Sequence, residues 1–203
     1  MIVIIDYNVG NIGSILNMLK KIGVQGDITS DISKIESADK IILPGVGSFD
    51  TGMENLKNLG LLEVLNKKVL VQKTPVLGIC LGMQLLTKGS EEGSLPGLGW
   101  IDGCVKRFAL DAFPDLKVPH MGWDYVSVKK ESLLFKDMYE EPKFYFVHSY
   151  YVSPTNASDV LTTTNYGLEF CSSLENGNIF GAQFHPEKSH KYGMKLLKNF
   201  ADL

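Results

Sequence analysis

Residues Pro75 to Leu86, P-V-L-G-I-C-L-G-M-Q-L-L, constrain the fold more than any other stretch of this chain. A short apolar run rich in Val, Leu and Ile has the composition of a buried strand. It meets a helix-forming segment at one cysteine framed by Gly78 and Gly82. A G-x-C-x-G spacing has the logic of a nucleophile elbow, a sharp strand-to-helix turn that lifts a reactive side chain above a sheet. Glycines on either side remove the Cβ atoms that would clash in so tight a turn. Cys80 is then expected at a helix N-terminus, where the partial positive charge favours a thiolate. A lone free cysteine is more often a small buried hydrophobe, so the functional reading needs partners elsewhere in the chain.

The first partner segment is Gln183-Phe184-His185-Pro186-Glu187-Lys188. Pro186 biases His185 away from the helical region, so the segment is expected to run extended. Side chains two apart in an extended chain share a face, which places His185 and Glu187 together. A carboxylate beside an imidazole fixes its tautomer and stabilises the imidazolium, leaving the other ring nitrogen for a thiol. Each residue alone reads as structural or solvated. With the glycine-framed cysteine they form a Cys–His–Glu set.

A second segment, Lys40-Ile41-Ile42-Leu43, reads as a strand that ends in Pro44-Gly45-Val46-Gly47. Its glycines let backbone N–H groups approach a bound carbonyl, which suits one side of an oxyanion hole, with the N–H of Leu81 as the other donor. Many strand ends turn on Pro and Gly, so this motif is weak by itself.

The first half of the chain alternates expected strands (Met1 to Asp6, Val24 to Thr29, the run ending at Leu43, the run into Cys80) with expected helices (Asn11 to Ile22, Asp50 to Leu59, Leu61 to Gln72). That alternation predicts an α/β fold with a mostly parallel sheet and helices on both faces. Beyond Gly99 the chain is strand-rich, with runs at Trp100 to Phe108, Trp123 to Val128, Lys143 to Val152, Val160 to Thr164, Glu169 to Leu174 and Ile179 to Phe184. A last amphipathic helix is expected from about His190 to Ala201. No linker or repeat interrupts residues 1–203, and with 44% hydrophobic residues the chain can bury its core as one domain. A net charge of −3 argues against a nucleic-acid binder. Three cysteines give no disulfide framework and suit a reducing compartment, with Cys104 and Cys171 read as core or strand residues. With neither a span of roughly 18 apolar residues nor an evident signal peptide, a cytoplasmic protein is expected, with no membrane partner.

These motifs identify a resemblance. The cysteine elbow and the H-P-E segment resemble the class I (triad) glutamine amidotransferases. Asp6-Tyr7-Asn8-Val9-Gly10-Asn11, Pro44-Gly45-Val46-Gly47, Pro119-His120-Met121-Gly122-Trp123, Phe144 to Tyr150 and His185 to Ser189 extend it along nearly the whole chain. The P-G-V-G and P-H-M-G-W runs narrow it to the glutaminase subunits of imidazole glycerol phosphate synthases. The resemblance implies a single-domain amidotransferase fold over residues 1–203, without cofactor or metal. It implies Cys80, His185 and Glu187 as the triad, and Gly45, Val46, Gly47 and Leu81 around the oxyanion. It implies glutamine contacts at Gln84, Glu92, Ser149 and Tyr150. Hydrolysis to glutamate and ammonia would pass through a Cys80 thioester. The ammonia would go to a (β/α)8-barrel cyclase subunit in histidine biosynthesis, bound as a heterodimer near Asn11, His120, Trp123, Asp124 and Lys188.

The family commonly has Asn where this chain has Asp124, and a small polar residue where it has His190. A carboxylate in place of an amide loses two donors and adds a charge, so contacts across such an interface must differ. Two alternatives follow: a paralogous glutaminase feeding a surface-sugar amidotransferase, and a stand-alone cysteine hydrolase of γ-glutamyl compounds. A chain that only binds or senses would not need Cys80, His185 and Glu187 together.

Overall fold

The computed structural model describes residues 1–203. Its first half follows the expected alternation: β1 (Ile2–Ile5), α1 (Ile12–Lys21), β2 (Gly26–Thr29), α2 (Ile32–Glu36), β3 (Lys40–Leu43), α3 (Phe49–Asn58), α4 (Leu61–Asn66), β4 (Val76–Ile79) and α5 (Leu81–Leu85). The second half is mostly strand: β5 (Gly103–Arg107), β6 (His120–Tyr125), β7 (Ser127–Val128), β8 (Lys143–His148), β9 (Tyr150–Pro154), β10 (Val160–Tyr166), β11 (Leu168–Asn176) and β12 (Ile179–Ala182), closed by α6 (His190–Asp202). The main sheet has the order β2-β1-β3-β4-β12-β11-β10-β7, with β9 joined to β11 and β5. From β2 to β12 all neighbours run parallel, and beyond β12 they are antiparallel. The pair β6–β8 forms a separate two-stranded ribbon.

Successive strand residues point to opposite faces, and the strand sequences use this to build two cores. Val3, Ile5, Ile41, Leu43 and Val76 pack on one face with Leu56, Leu61, Val64 and Leu85 of α3, α4 and α5. Ile2, Ile4, Ile42, Leu77 and Ile79 pack on the other with Ile15 and Leu19 of α1 and Leu196, Leu197 and Phe200 of α6. Every residue of β1, β4 and β12 is buried, the signature of parallel strands covered on both sides.

Several expected elements are revised. The run Lys143 to Val152 is two strands, because the chain leaves the ribbon at Ser149 and β9 joins the main sheet. Only the polar His148-Ser149 pair interrupts the aromatic and aliphatic run there, and it suits a continued strand equally well. Helix 61–72 becomes α4 followed by a π-helical turn at Lys67–Val71. There the buried Lys68 Nζ donates to the carbonyls of Glu36 (3.1 Å) and Ala38 (2.7 Å), so its ammonium caps the end of α2. No expected element covers that short helix, although Asp31 is a good N-cap and accepts from the Ser33 N–H at 2.8 Å. Trp100 to Phe108 contracts to Gly103–Arg107, and the strand expected from Trp123 starts at His120.

The elbow is the tightest place in the fold. A Cβ on Gly78 would stand 2.7 Å from the Gly82 carbonyl oxygen, and one on Gly82 would stand 1.8 Å from the Leu43 carbonyl oxygen. Both obstacles are backbone, so neither can move aside cheaply. Gly82→Ala is expected to lower unfolding free energy by about 3 kcal/mol or more in urea denaturation, whereas Gly13→Ala, with open space around it, changes it by less than about 1 kcal/mol.

Candidate active site

Parallel strands bring their carboxyl ends to one edge of a sheet, and side chains presented there share a crevice. Three neighbouring strands do so here. β3 runs into Pro44–Gly47, β4 into Cys80, and β12 into Gln183–Glu187. Cys80 has φ 53° and ψ −110°, a backbone conformation that a residue with a Cβ rarely adopts. Its N–H is bonded to the Ala182 carbonyl at 2.8 Å, and its carbonyl accepts from the Gln84 N–H at 3.2 Å. The strained turn is therefore fixed from the strand side and from the helix side.

His185 and Glu187 lie together as expected, for a different reason. His185 is extended (φ −102°, ψ 96°), but Pro186–Lys188 closes a 3₁₀ turn, and this turn, not strand alternation, folds Glu187 back. His185 Nδ1 and Glu187 Oε1 are 2.8 Å apart, with side chains 2% and 3% exposed. His185 Nε2 is buried without a hydrogen-bond partner, as is Glu187 Oε2. Burial works against a charged imidazole, but the Cys80 sulfur and the Glu187 carboxylate outweigh it and push His185 up to about 9. Around neutral pH the ring is thus an imidazolium whose Nδ1–H is given to Glu187 and whose Nε2 remains available.

One of the expected oxyanion donors is engaged elsewhere. The Leu81 N–H donates to the Gly45 carbonyl at 3.3 Å, so a carbonyl occupies the place where an anion would need a donor. Gly45 is buried, while Val46 and Gly47 are exposed and Gly47 has φ 118°. Tyr7 anchors this loop from below by donating its hydroxyl to the Pro44 carbonyl. Burial, with the adjacent Cys80, holds that phenol far above its usual range, so it stays a donor.

A cleft of about 440 Å³ opens over the cysteine, lined by Cys80, Leu81, Val46 and Gly47 and by Gln84, Glu92, Ser149 and Tyr150. All four expected substrate contacts therefore reach one cavity. Glu92 Oε2 accepts the Phe49 N–H at 2.9 Å, a contact that holds its loop against the start of α3. The buried Gln84 donates from Nε2 to the Tyr150 carbonyl (3.2 Å) and to Gln183 Oε1 (3.1 Å). Other neighbours of the site have no role assigned from the sequence, Gln183, Pro119 and His148 among them. Gln183 Nε2 reaches Cys80 Sγ at 3.7 Å, and Pro119 and His148 line the cleft. Burial pushes His148 down to about 3, so it is neutral. All three lie in quoted motifs, Gln183 two residues before His185, Pro119 at the head of P-H-M-G-W and His148 just before Ser149, but the motifs alone assign them no role.

Of the residues expected at a partner surface, Asn11, Trp123 and Lys188 are exposed and Asp124 is half-buried. His120 is not at the surface. It is 2% exposed and stacks on Tyr166 and Phe146, because strand alternation turns His120 and Asp124 inward while Met121, Trp123 and Tyr125 face out. His190 stacks on Trp123 with ring centroids 5.3 Å apart. No cluster of three or more His, Cys, Asp or Glu residues is placed to hold a metal ion. No helix is long and apolar enough to cross a membrane.

Residues 3–203 match the family model described as glutamine amidotransferase class-I. The chain is 56% identical over 200 residues, 98% of each chain, to the imidazole glycerol phosphate synthase subunit HisH 2 of Methanococcus maripaludis. It is 51% identical to the subunit HisH 2 of Pseudomonas aeruginosa over 203 residues, the full length of both. To the subunit HisH 1 of Campylobacter jejuni it is 48% identical over 204 residues, again the full length of both. Among solved structures, the fold matches PurLQS from Thermotoga maritima with a TM-score of 0.74 at 15% identity, covering 99% of this chain and 97% of that one. The glutaminase domain of Trypanosoma brucei CTPS with bound acivicin matches with a TM-score of 0.67 at 18% identity, covering 99% and 93%.

The buried pair gives a signed pH dependence. His185 moves from an ordinary 6.5 to about 9 on folding, so the folded chain binds this proton more tightly than the unfolded chain. The resulting stability is complete below pH 6.5 and is lost as pH rises through about 9. Urea midpoints are expected to fall between pH 7 and pH 9.5, and to fall less in Glu187→Gln, which lacks the carboxylate that holds the proton.

Proposed function

Because the chain belongs to the class-I glutamine amidotransferases, we propose that it is the glutaminase subunit of an imidazole glycerol phosphate synthase. One observation carries the chemistry: the strained Cys80, the buried His185–Glu187 pair at 2.8 Å and the cleft above them meet at the ends of adjacent parallel strands. In this reading residues 1–203 act as one amidotransferase domain. The Cys80 thiolate attacks the side-chain amide carbon of glutamine. Gln84, Glu92, Ser149 and Tyr150 hold the substrate, with the Glu92 carboxylate facing its α-ammonium. His185 gives its Nε2 proton to the departing ammonia, leaving a γ-glutamyl thioester on Cys80. The neutral ring then takes a proton from water, which attacks the thioester and releases glutamate and the Cys80 sulfur.

Stabilising the tetrahedral oxyanion requires the Leu81 N–H to let go of the Gly45 carbonyl. Rotating the Gly45–Val46 peptide removes that carbonyl and turns the Val46 N–H into its place, giving two donors. The chain alone is thus in a low-activity state, and docking of a (β/α)8-barrel cyclase at the face carrying Asn11, Trp123, Asp124 and Lys188 favours the turned peptide. Ammonia passes to that partner within a cytoplasmic heterodimer of the histidine pathway.

The test is glutamate release from glutamine, with and without the cyclase-type subunit of the same genome and its nucleotide ligand. Low turnover alone, strong stimulation by the partner, and a loss of at least about a thousandfold in Cys80→Ala are expected. Fast turnover indifferent to any partner would overturn the coupling and favour a stand-alone hydrolase. Failure to form a complex would make Asp124 the mark of a different acceptor, and a surface-sugar amidotransferase would take the cyclase's place.

A further inference from the structure

Behind the cleft wall lies a row of polar groups that the proposed chemistry leaves unused. The Tyr150 carbonyl is 2.7 Å from His148 Nδ1, His148 Nε2 is 3.1 Å from His120 Nδ1, and His120 Nε2 is 3.4 Å from Asp124 Oδ2. His120 and His148 are direct partners across the β6–β8 ribbon, and Asp124 shares the inner face of β6 with His120. On the cleft side the row continues. Gln84 Nε2 donates to the same Tyr150 carbonyl and to Gln183 Oε1, and Gln183 Nε2 reaches Cys80 Sγ. A continuous polar path thus runs from Asp124, beside the exposed Trp123, to the nucleophile.

The protons of this row can be counted. A carbonyl only accepts, so His148 must carry its proton on Nδ1 and present a lone pair at Nε2. His120 must then carry its proton on Nδ1 to donate to that lone pair, which leaves a second lone pair at its Nε2, facing the Asp124 carboxylate. Three contacts need three protons, and two neutral imidazoles supply two. The distances follow the count. The two contacts that own a proton are short, and the one without is the longest, at 3.4 Å.

We propose that Asp124, His120 and His148 are positioning residues for the glutamine cleft, acting as one relay that takes up a single proton between Asp124 and His120 and transmits it as a stronger pull on the Tyr150 carbonyl. With the proton bound, His120 donates from both nitrogens, His148 becomes the better donor, and the segment carrying Ser149 and Tyr150 is held more tightly against Gln84. The groups facing His120 are Asp124 on β6, His148 and Phe146 on β8, Tyr166 on β10, Phe170 on β11, and Phe108 between β5 and β6. The Tyr166 hydroxyl is occupied by the Lys117 backbone, so Asp124 is the one carboxylate of the set. Burial lowers the proton affinity of His120 and the Asp124 carboxylate restores part of it, while His148, also depressed by His120 and His185, stays neutral. Uptake therefore belongs below the ordinary histidine range in the free chain. Covering Asp124 with a docked partner would dehydrate the carboxylate and move uptake towards neutral pH.

The inference rests on the proposed function only in taking the cleft as the glutamine site, and its test needs no turnover. The full chain, with ¹⁵N-labelled histidine rings and a ¹³C label on the tyrosine carbonyls, would be followed by NMR from about pH 8 to about pH 5. In the native chain the His120 ring nitrogens should move together to the imidazolium position, His148 should remain the neutral Nδ1–H form, and the Tyr150 carbonyl should shift along the His120 curve. In Asp124→Asn the amide supplies the third proton permanently, so His120 should stay neutral with Nδ1–H and the Tyr150 signal should not move. Identical titration of His120 in both chains, or a Tyr150 carbonyl indifferent to it, would overturn the relay. A chain with the expected titration but no glutaminase activity would instead count against the proposed function alone.

Discussion

The site depends on one backbone turn. Cys80 sits at φ 53° directly after β4, and β4 is hydrogen-bonded to β3 on one side and β12 on the other. A residue with a Cβ keeps such a conformation only where its surroundings over-determine it. Here the surroundings are backbone: the Leu43 and Gly82 carbonyls leave no room for side chains at Gly82 and Gly78. Parallel pairing does the rest, because the chain leaving β3 becomes the Pro44–Gly47 loop and the chain leaving β12 carries Gln183, His185 and Glu187. The reactive groups are neighbours because their strands are.

Burial then sets the charge states. A buried imidazole is ordinarily depressed, as His148 is, yet His185 is raised to about 9 because Cys80 and Glu187 face it. Two histidines at nearly the same depth therefore have opposite duties. His185 holds a proton that chemistry can spend, and His148 stays neutral as a link in the cleft wall. The oxyanion side is unfinished by a single peptide, since the Leu81 N–H already has the Gly45 carbonyl as its partner. In the proposed reading, Cys80 and His185 are in place while the electrophilic side is closed, which is how a glutaminase that waits for its ammonia acceptor would rest.

The elbow was legible because its constraint is local: two glycines around one cysteine, between a strand-like run and a helix-like run. The alternation of strand-like and helix-like runs in the first half made the mostly parallel sheet legible too. What escaped was set by distance in sequence. The break at Ser149 depends on which sheet each half joins, which no local pattern states. His185 and Glu187 were correctly paired on incorrect grounds, since Pro186 starts a 3₁₀ turn where an extended run was expected. His120 was assigned to the surface by its motif, although period-two alternation with the exposed Trp123 would have turned it inward with Asp124. The contacts of Gln84 with Tyr150 and Gln183 span 66 and 99 residues and have no local signature.

In the proposed reading Cys80 is the nucleophile and the cleft above it selects a glutamine side chain. The most direct measurement is peptide mass spectrometry of the intact chain after exposure to a glutamine analogue bearing a chloromethyl ketone. A thiolate displaces chloride from such a reagent and keeps the analogue as a stable thioether. A single adduct on Cys80 is expected, slowed by added glutamine and absent in Cys80→Ala, although Cys104 is the exposed cysteine. Labelling that follows exposure, with Cys104 modified first and glutamine giving no protection, would contradict it.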